Sequence, residues 1–217
     1  MNTMLAAINR REMLGFGIAV LGAAAWRPAD AQTAGGGSPT APAEQLDDAL
    51  LAAMKAGSGT SFGARYRALE PVVEQVFNLN TVLATSVGFA WPAMPEAQKA
   101  ELATAFRRYT VSSYVSNFNS YNGQSFQVLP SVRPVSNDEV IVQTRMLRPA
   151  DSPLKLDYVM RRGPAGWQAV DVLTDGAISR VAVQRSDFRE LLVSGGVPAL
   201  VAGLSHKVAN LSGGMLG

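Results

Sequence analysis

Cysteine and histidine, the residue types that carry thiolate chemistry and most imidazole chemistry, are almost missing from this chain of 217 residues. It has no cysteine and a single histidine, His206. Disulfides, thiolate chemistry and Cys-ligated metals are therefore excluded, and neither a Ser-His-Asp triad nor a His-built metal site fits. A lone histidine of this kind reads as a helix-surface or capping residue. What the sequence offers instead is apolar bulk at regular spacing. With Phe106 as zero and about 100° per residue, Tyr121 falls at about 60°, Tyr114 at about 80° and Phe118 at about 120°. These four aromatics form one wide helix face. Val140, Val142, Thr144 and Met146 alternate with Ile141, Gln143, Arg145 and Leu147, and Leu154, Leu156, Tyr158 and Met160 alternate with Lys155, Asp157 and Arg161. Two such faces either fill a solid core, the ordinary outcome, or form opposite walls of a dry cavity for an apolar ligand.

The elements that must position these faces follow from the periodicity. Residues 43–56 are Ala/Leu-rich and end at Gly57-Ser58-Gly59. Residues 62–77 resume a helical pattern, with Pro71 predicting a kink or two abutting helices. Asn80 is a candidate cap for a helix that ends at Gly88. The longest helix is expected from Pro95, well placed in a first turn, to Tyr121. The period then changes to two. Strands are expected at 124–129, 140–147, 154–161 and 167–174, with the hairpin turn Arg162-Gly163-Pro164-Ala165-Gly166 before the last. Two closing helices are expected at 187–193 and 197–209. Helices, then an antiparallel sheet, then helices make an α+β fold with about four strands. No internal repeat is present. Trp167 beside the turn reads as structural, Gly176 as a bend, and Asp171 as a hydrogen-bonded or ion-paired strand residue. Arg185 and Arg189 either flank a cavity mouth or are solvated helix-end charges.

The first residues read as an export signal. Arg10-Arg11 precede an apolar run of roughly thirteen residues, too short to span a bilayer core of about 30 Å. Ala29-Asp30-Ala31 has the small-x-small form of a cleavage site, so residues 1–31 are expected to be a signal peptide cleaved after Ala31. The twin arginines fit Tat export, and a Sec signal with a chance Arg pair is the alternative. Residues 32–42, rich in Gly, Ser, Thr, Pro and Ala, read as a linker, and 43–217 as one domain. Without Arg10, Arg11, Arg27, Glu12 and Asp30, the mature chain keeps 16 basic and 15 acidic residues. That balance, with no basic stripe, argues against nucleic-acid binding and against electrostatic docking on anionic membranes. Hydrophobic residues make up 47% and charged ones 17%, ample for a large core.

The order of short motifs resembles a known family. Phe77-Asn78-Leu79, Gly88-Phe89-Ala90-Trp91, Phe106-Arg107-Arg108-Tyr109 with Tyr114, and Tyr121-Asn122-Gly123-Gln124 are followed by Leu156-Asp157-Tyr158 and Gly166-Trp167-Gln168-Ala169-Val170-Asp171-Val172. Asp175-Gly176-Ala177-Ile178-Ser179 and Arg185-Ser186-Asp187-Phe188 complete the series. Together, over roughly 45–208, they resemble the MlaC family of periplasmic phospholipid-binding proteins, also called toluene-tolerance auxiliary proteins, and within it the hopanoid-associated HpnM branch. The resemblance implies helices wrapped around a strongly curved mixed sheet whose hollow takes acyl chains, with no cofactor. It also implies a phospholipid or hopanoid ligand, and transient partners in an inner-membrane lipid transporter and an outer-membrane station. By the same resemblance Tyr114, Leu156, Ala177 and Ile178 fall where the family lines its cavity. The expected lining is thus Phe106, Tyr114, Phe118, Tyr121, Val142, Leu156, Tyr158, Met160, Ala177 and Ile178. Two other classes stay open: an enzyme on a related cone-shaped scaffold, which would need a titratable group in the cavity, and a periplasmic adaptor with a filled core that binds only proteins.

Overall fold

The computed structural model describes residues 37–216. The expected signal peptide and the first part of the expected linker lie outside them. Helix α1 (Ala41–Ala56) begins inside the stretch read as linker, with Pro42 in its first turn. It ends at Gly57, whose φ of 54° relieves the chain of a Cβ clash. Helix α2 (Phe62–Val76) is capped by the Ser61 side chain, which accepts from the Ala64 amide, and it runs through Pro71 undivided. Helix α3 (Leu79–Val87) is capped by Asn78, not Asn80: Asn78 Oδ1 accepts from the Thr81 amide at 3.0 Å. The cap is fixed there because the Asn78 amide donates to the Ala169 carbonyl at 3.0 Å, so the chain is still strand-like at that point.

Helix α4 (Glu96–Asn117) starts after Pro95 as expected but stops four residues short of Tyr121. One of its last-turn carbonyls, that of Val115, accepts at 3.1 Å from the buried guanidinium of Arg65, a cationic C-terminal cap that favours termination. Five strands follow, β1 (Ser125–Pro134), β2 (Glu139–Arg148), β3 (Asp151–Gly163), β4 (Gly166–Thr174) and β5 (Ile178–Ser179), paired in chain order and all antiparallel. The fifth, two residues long, carries no alternation and was not visible in the pattern. Register irregularities between Val128 and Val132, Met146 and Arg148, and Val159 and Met160 are the local means by which the sheet bends. Helix α5 (Arg180–Ser212) is broken by non-helical Gly195 and Gly196, so two helices close the chain, the first starting seven residues earlier than expected. Its full span has the length and apolarity of a membrane helix, but the glycine break and its packing on α4 and α3 suit a globular domain.

Two apolar clusters hold these elements together. The first lies between α1, α2, the end of α4 and the sheet, around Leu46, Leu50, Val73, Val115, Val142, Tyr158 and Met160. The second lies between α3, the first half of α4 and α5, around Leu83, Leu102, Phe106, Phe188, Leu200 and Leu204. Helix α4 belongs to both, and Leu79 packs against both.

Candidate functional site

Where the two clusters meet, the packing leaves a cavity of about 390 Å³, in the range of small-molecule sites. One stripe of α4 forms a wall with Phe106, Thr110, Ser113, Tyr114 and Asn117, residues three and four apart that share a helix face. Phe118 extends it just past the helix end. Phe77, Leu79 and Val82 supply a second wall from the start of α3. Met146, Leu154, Leu156, Tyr158, Val172 and Thr174 supply the sheet wall, and Arg180, Val181 and Gln184 close the site from the first turns of α5.

The interior is a run of contacting rings. Phe77 lies 5.7 Å from Tyr114 and 6.2 Å from Tyr158, and Phe118 lies 6.0 Å from Tyr114 and 6.1 Å from Phe126. Centroid separations of this size are those of favourable aromatic pairs. Burial pushes the hydroxyls of Tyr114 and Tyr158 well above the ordinary phenol range, so both stay neutral. One acid sits close behind them. Asp47 on α1 is buried, its two oxygens find no hydrogen-bond donor among the described residues, and its charge acts on both tyrosines. Burial first, then the neighbouring carboxylates of Asp48 and Glu44, pushes Asp47 up to about 7.

The polar lining is concentrated toward α5 and the end of α4. Asp171 is fully engaged there: its Oδ1 accepts from the amides of Val172 and Val181 at 2.7 and 3.1 Å, and its Oδ2 bonds the Ser179 hydroxyl at 2.5 Å. The Ser179 oxygen in turn accepts from the Ala182 amide at 2.9 Å, capping α5. Thr110 and Ser113 donate their hydroxyls back to the α4 carbonyls of Phe106 and Tyr109. The Asp171 carboxylate, bonded in this way, anchors β4 to α5.

Of the residues expected from sequence, the cavity brings together Phe106, Tyr114, Phe118, Leu156 and Tyr158. The other five are not among its lining. Val142 and Met160 have no exposed surface and belong to the solid first cluster under α1 and α2. Tyr121 lies beyond the end of α4, 43% exposed, with the Lys55 ammonium 5.5 Å above its ring. Ala177 and Ile178 are exposed around the Asp175-Gly176 turn. Sequence reasoning missed Phe77, the ring that links Tyr114 to Tyr158, although it opens one of the short motifs. Arg185 donates twice to the Thr85 carbonyl and ties α5 to α3, and neither it nor Arg189 reaches the cavity. Trp167 is buried under the Arg162 guanidinium, 4.7 Å from its ring, and is not among the cavity lining. His206 is exposed on α5, and Asp157 is buried but not in the lining.

The family model of the MlaC protein matches residues 44–206, three quarters of the sequence and nearly the whole described domain. The chain belongs to the MlaC family. A solved phospholipid-binding protein from Ralstonia solanacearum, determined in complex with a phospholipid, has the same fold: the TM-score is 0.70 at 19% identity, over 81% of this chain and 99% of that one. The α+β architecture is therefore shared with that solved protein, and in this chain the cavity lies between α4, α5 and the sheet.

Proposed function

We propose that this MlaC-family protein is a non-enzymatic carrier that holds the chains of a phospholipid or hopanoid in the cavity between α4 and the sheet and shuttles them across the periplasm. The observation that carries this reading is the ring-lined cavity itself, with Phe77, Tyr114, Phe118, Leu156 and Tyr158 as its apolar walls. The physics of the cargo asks for nothing else. Each methylene exposed to water costs about 0.8 kcal/mol, so two sixteen-carbon chains cost on the order of 25 kcal/mol. No catalytic group offsets that; an enclosed apolar surface does. A donor membrane already shelters the chains, so the carrier has only to match it. The bound phospholipid of the Ralstonia relative supports the ligand class. The twin arginines and the small-x-small site support export, with inner-membrane and outer-membrane stations as transient partners.

Native mass spectrometry of the purified protein, followed by extraction and identification of any retained lipid, tests the reading. A stoichiometric phospholipid or hopanoid supports the carrier and names the branch. A lipid-free protein that also takes no lipid from vesicles overturns it.

A further inference from the structure

We propose that the loop of residues 88–95, between α3 and α4, is an interfacial wedge by which the domain seats itself on a lipid bilayer. The inference goes beyond the carrier reading and is independent of what fills the cavity.

The loop reads Gly-Phe-Ala-Trp-Pro-Ala-Met-Pro, eight consecutive residues without a charge, a hydroxyl or a side-chain amide. Phe89 stands fully in solvent, the most exposed large hydrophobic side chain among the described residues, and Ala90, Pro92, Ala93 and Pro95 are exposed beside it. A built turn holds the ring out. Gly88, with φ of 72°, ends α3. The Trp91 amide donates to the Gly88 carbonyl at 3.0 Å and the Met94 amide to the Trp91 carbonyl at 3.2 Å. Met94 is buried and Trp91 packs on the second cluster, which roots the loop in the core. Pro92 and Pro95 have no amide hydrogen, so the loop carries few unpaired donors into hydrocarbon.

Cations stand at its base. The Lys99 ammonium lies 5.6 Å from the Trp91 ring. The Arg185 side chain lies against Gly88, where a Cβ would come within 3.8 Å of its Nε, and it is fastened to the Thr85 carbonyl at 2.8 and 3.0 Å. Glu96, the acid in the first turn of α4, is turned to Lys99 at 2.8 Å. A phenyl ring at the tip, an indole behind it and two cations at the base follow the depth order of a bilayer, from hydrocarbon through the interface to the phosphates. A specific protein partner would draw on hydrogen bonds across the contact, and residues 88–95 have no polar side chain to supply them. The near-neutral charge of the chain agrees with entry by apolar burial rather than by electrostatic attraction. Val82, two turns earlier on α3, lines the cavity, so the wedge lies about 10 Å along the helix from the cavity wall.

The test mixes the purified protein with phosphatidylcholine vesicles whose chains carry bromine, which quenches indole fluorescence on contact, and measures binding by co-sedimentation. Wild type is expected to sediment with the vesicles and to lose tryptophan fluorescence. Trp91→Phe should still sediment but lose the quenched component, which assigns the quenching to the loop. Phe89→Ser should weaken binding about tenfold, the worth of burying one phenyl ring, with lipid extracted per folded molecule unchanged. Val193→Ser, equally apolar and exposed but two turns beyond Arg185 on α5, should bind as wild type. Wild-type protein that neither sediments nor is quenched, yet carries lipid, overturns the wedge and leaves the carrier reading standing. Binding through Phe89 by a protein that retains no lipid does the reverse. Equal binding by wild type and folded Phe89→Ser, or equal losses in Phe89→Ser and Val193→Ser, also overturns the wedge. Binding that needs membrane proteins reconstituted in the vesicles assigns the loop to a protein partner and overturns the bilayer assignment.

Discussion

Tyr114, in the last turn of α4, stacks on Phe118, the residue at which that helix ends, with ring centroids 6.0 Å apart and planes 19° from parallel. The pair turns a helix stripe into a cavity wall: the helix holds one ring, and the chain reversal tips the other across it. A guanidinium placed there puts a polar, hydrated head among the apolar walls that would otherwise shelter hydrocarbon. Tyr114→Arg should therefore lose retained lipid, measured by extraction, while far-ultraviolet circular dichroism stays native, because the cationic head can reach solvent at the cavity mouth. Lipid still carried at the wild-type level would show that this wall has been misassigned.

Val142 gives the contrasting case. It is fully buried and belongs to the solid cluster, away from the cavity. Val142→Ala should cost roughly 2 kcal/mol of stability in urea unfolding, with lipid per folded molecule unaltered. A loss of lipid without a loss of stability would place Val142 on the cavity wall after all.

Asp47 makes the domain sensitive to pH. Its carboxyl is raised from 3.8 to about 7 by burial and by Asp48 and Glu44. In the folded state it holds its proton over a range where the unfolded chain has released it. Its stabilising effect is complete below about 4 and is lost as pH rises through about 7, a change of about 4 kcal/mol at most. Asp47→Asn, which mimics the protonated acid, should match wild type near pH 4 and exceed it in Tm at pH 8. Parallel Tm profiles for the two proteins across that interval would refute the assignment.

Asp171 ties the sheet to α5 through Val181 and Ser179. Asp171→Ala leaves those donors unpaired, which should cost about 1–3 kcal/mol and speed hydrogen exchange at the Val181 and Ala182 amides. Exchange at wild-type rates would mean that the anchor lies elsewhere.

Gly196 breaks α5 with φ of 66° and ψ of −157°, a conformation that favours glycine. Gly196→Ala should destabilise by about 1–3 kcal/mol, seen as a lower urea midpoint. A variant as stable as wild type would mean the break relaxes into one continuous helix, which its circular dichroism would show as added helicity.

Much of this architecture was legible in the chain. Local patterns set the type of each long element, because amphipathic periods of 3.6 and 2 depend only on neighbours along the chain. Gly88, Gly195-Gly196 and the 162–166 turn punctuate it by their own backbone preferences. The failures came where a distant residue decided. Asn78 rather than Asn80 caps α3 because a carbonyl some ninety positions away, at Ala169, holds the Asn78 amide. Tyr121 left the aromatic face because Arg65 caps the end of α4, and a helical wheel assumes that the helix continues.

From sequence alone came the α+β order, the aromatic and alternating faces, the want of catalytic residue types and the likeness to the MlaC family. Tertiary structure alone decided which apolar residues enclose space and which fill it. Val142 and Tyr158 face each other in register on β2 and β3, yet only Tyr158 reaches the cavity. The reason is physical: periodicity tells which way a side chain points, whereas a void depends on how far the opposing element stands off, and that distance is set by every contact in the two clusters at once.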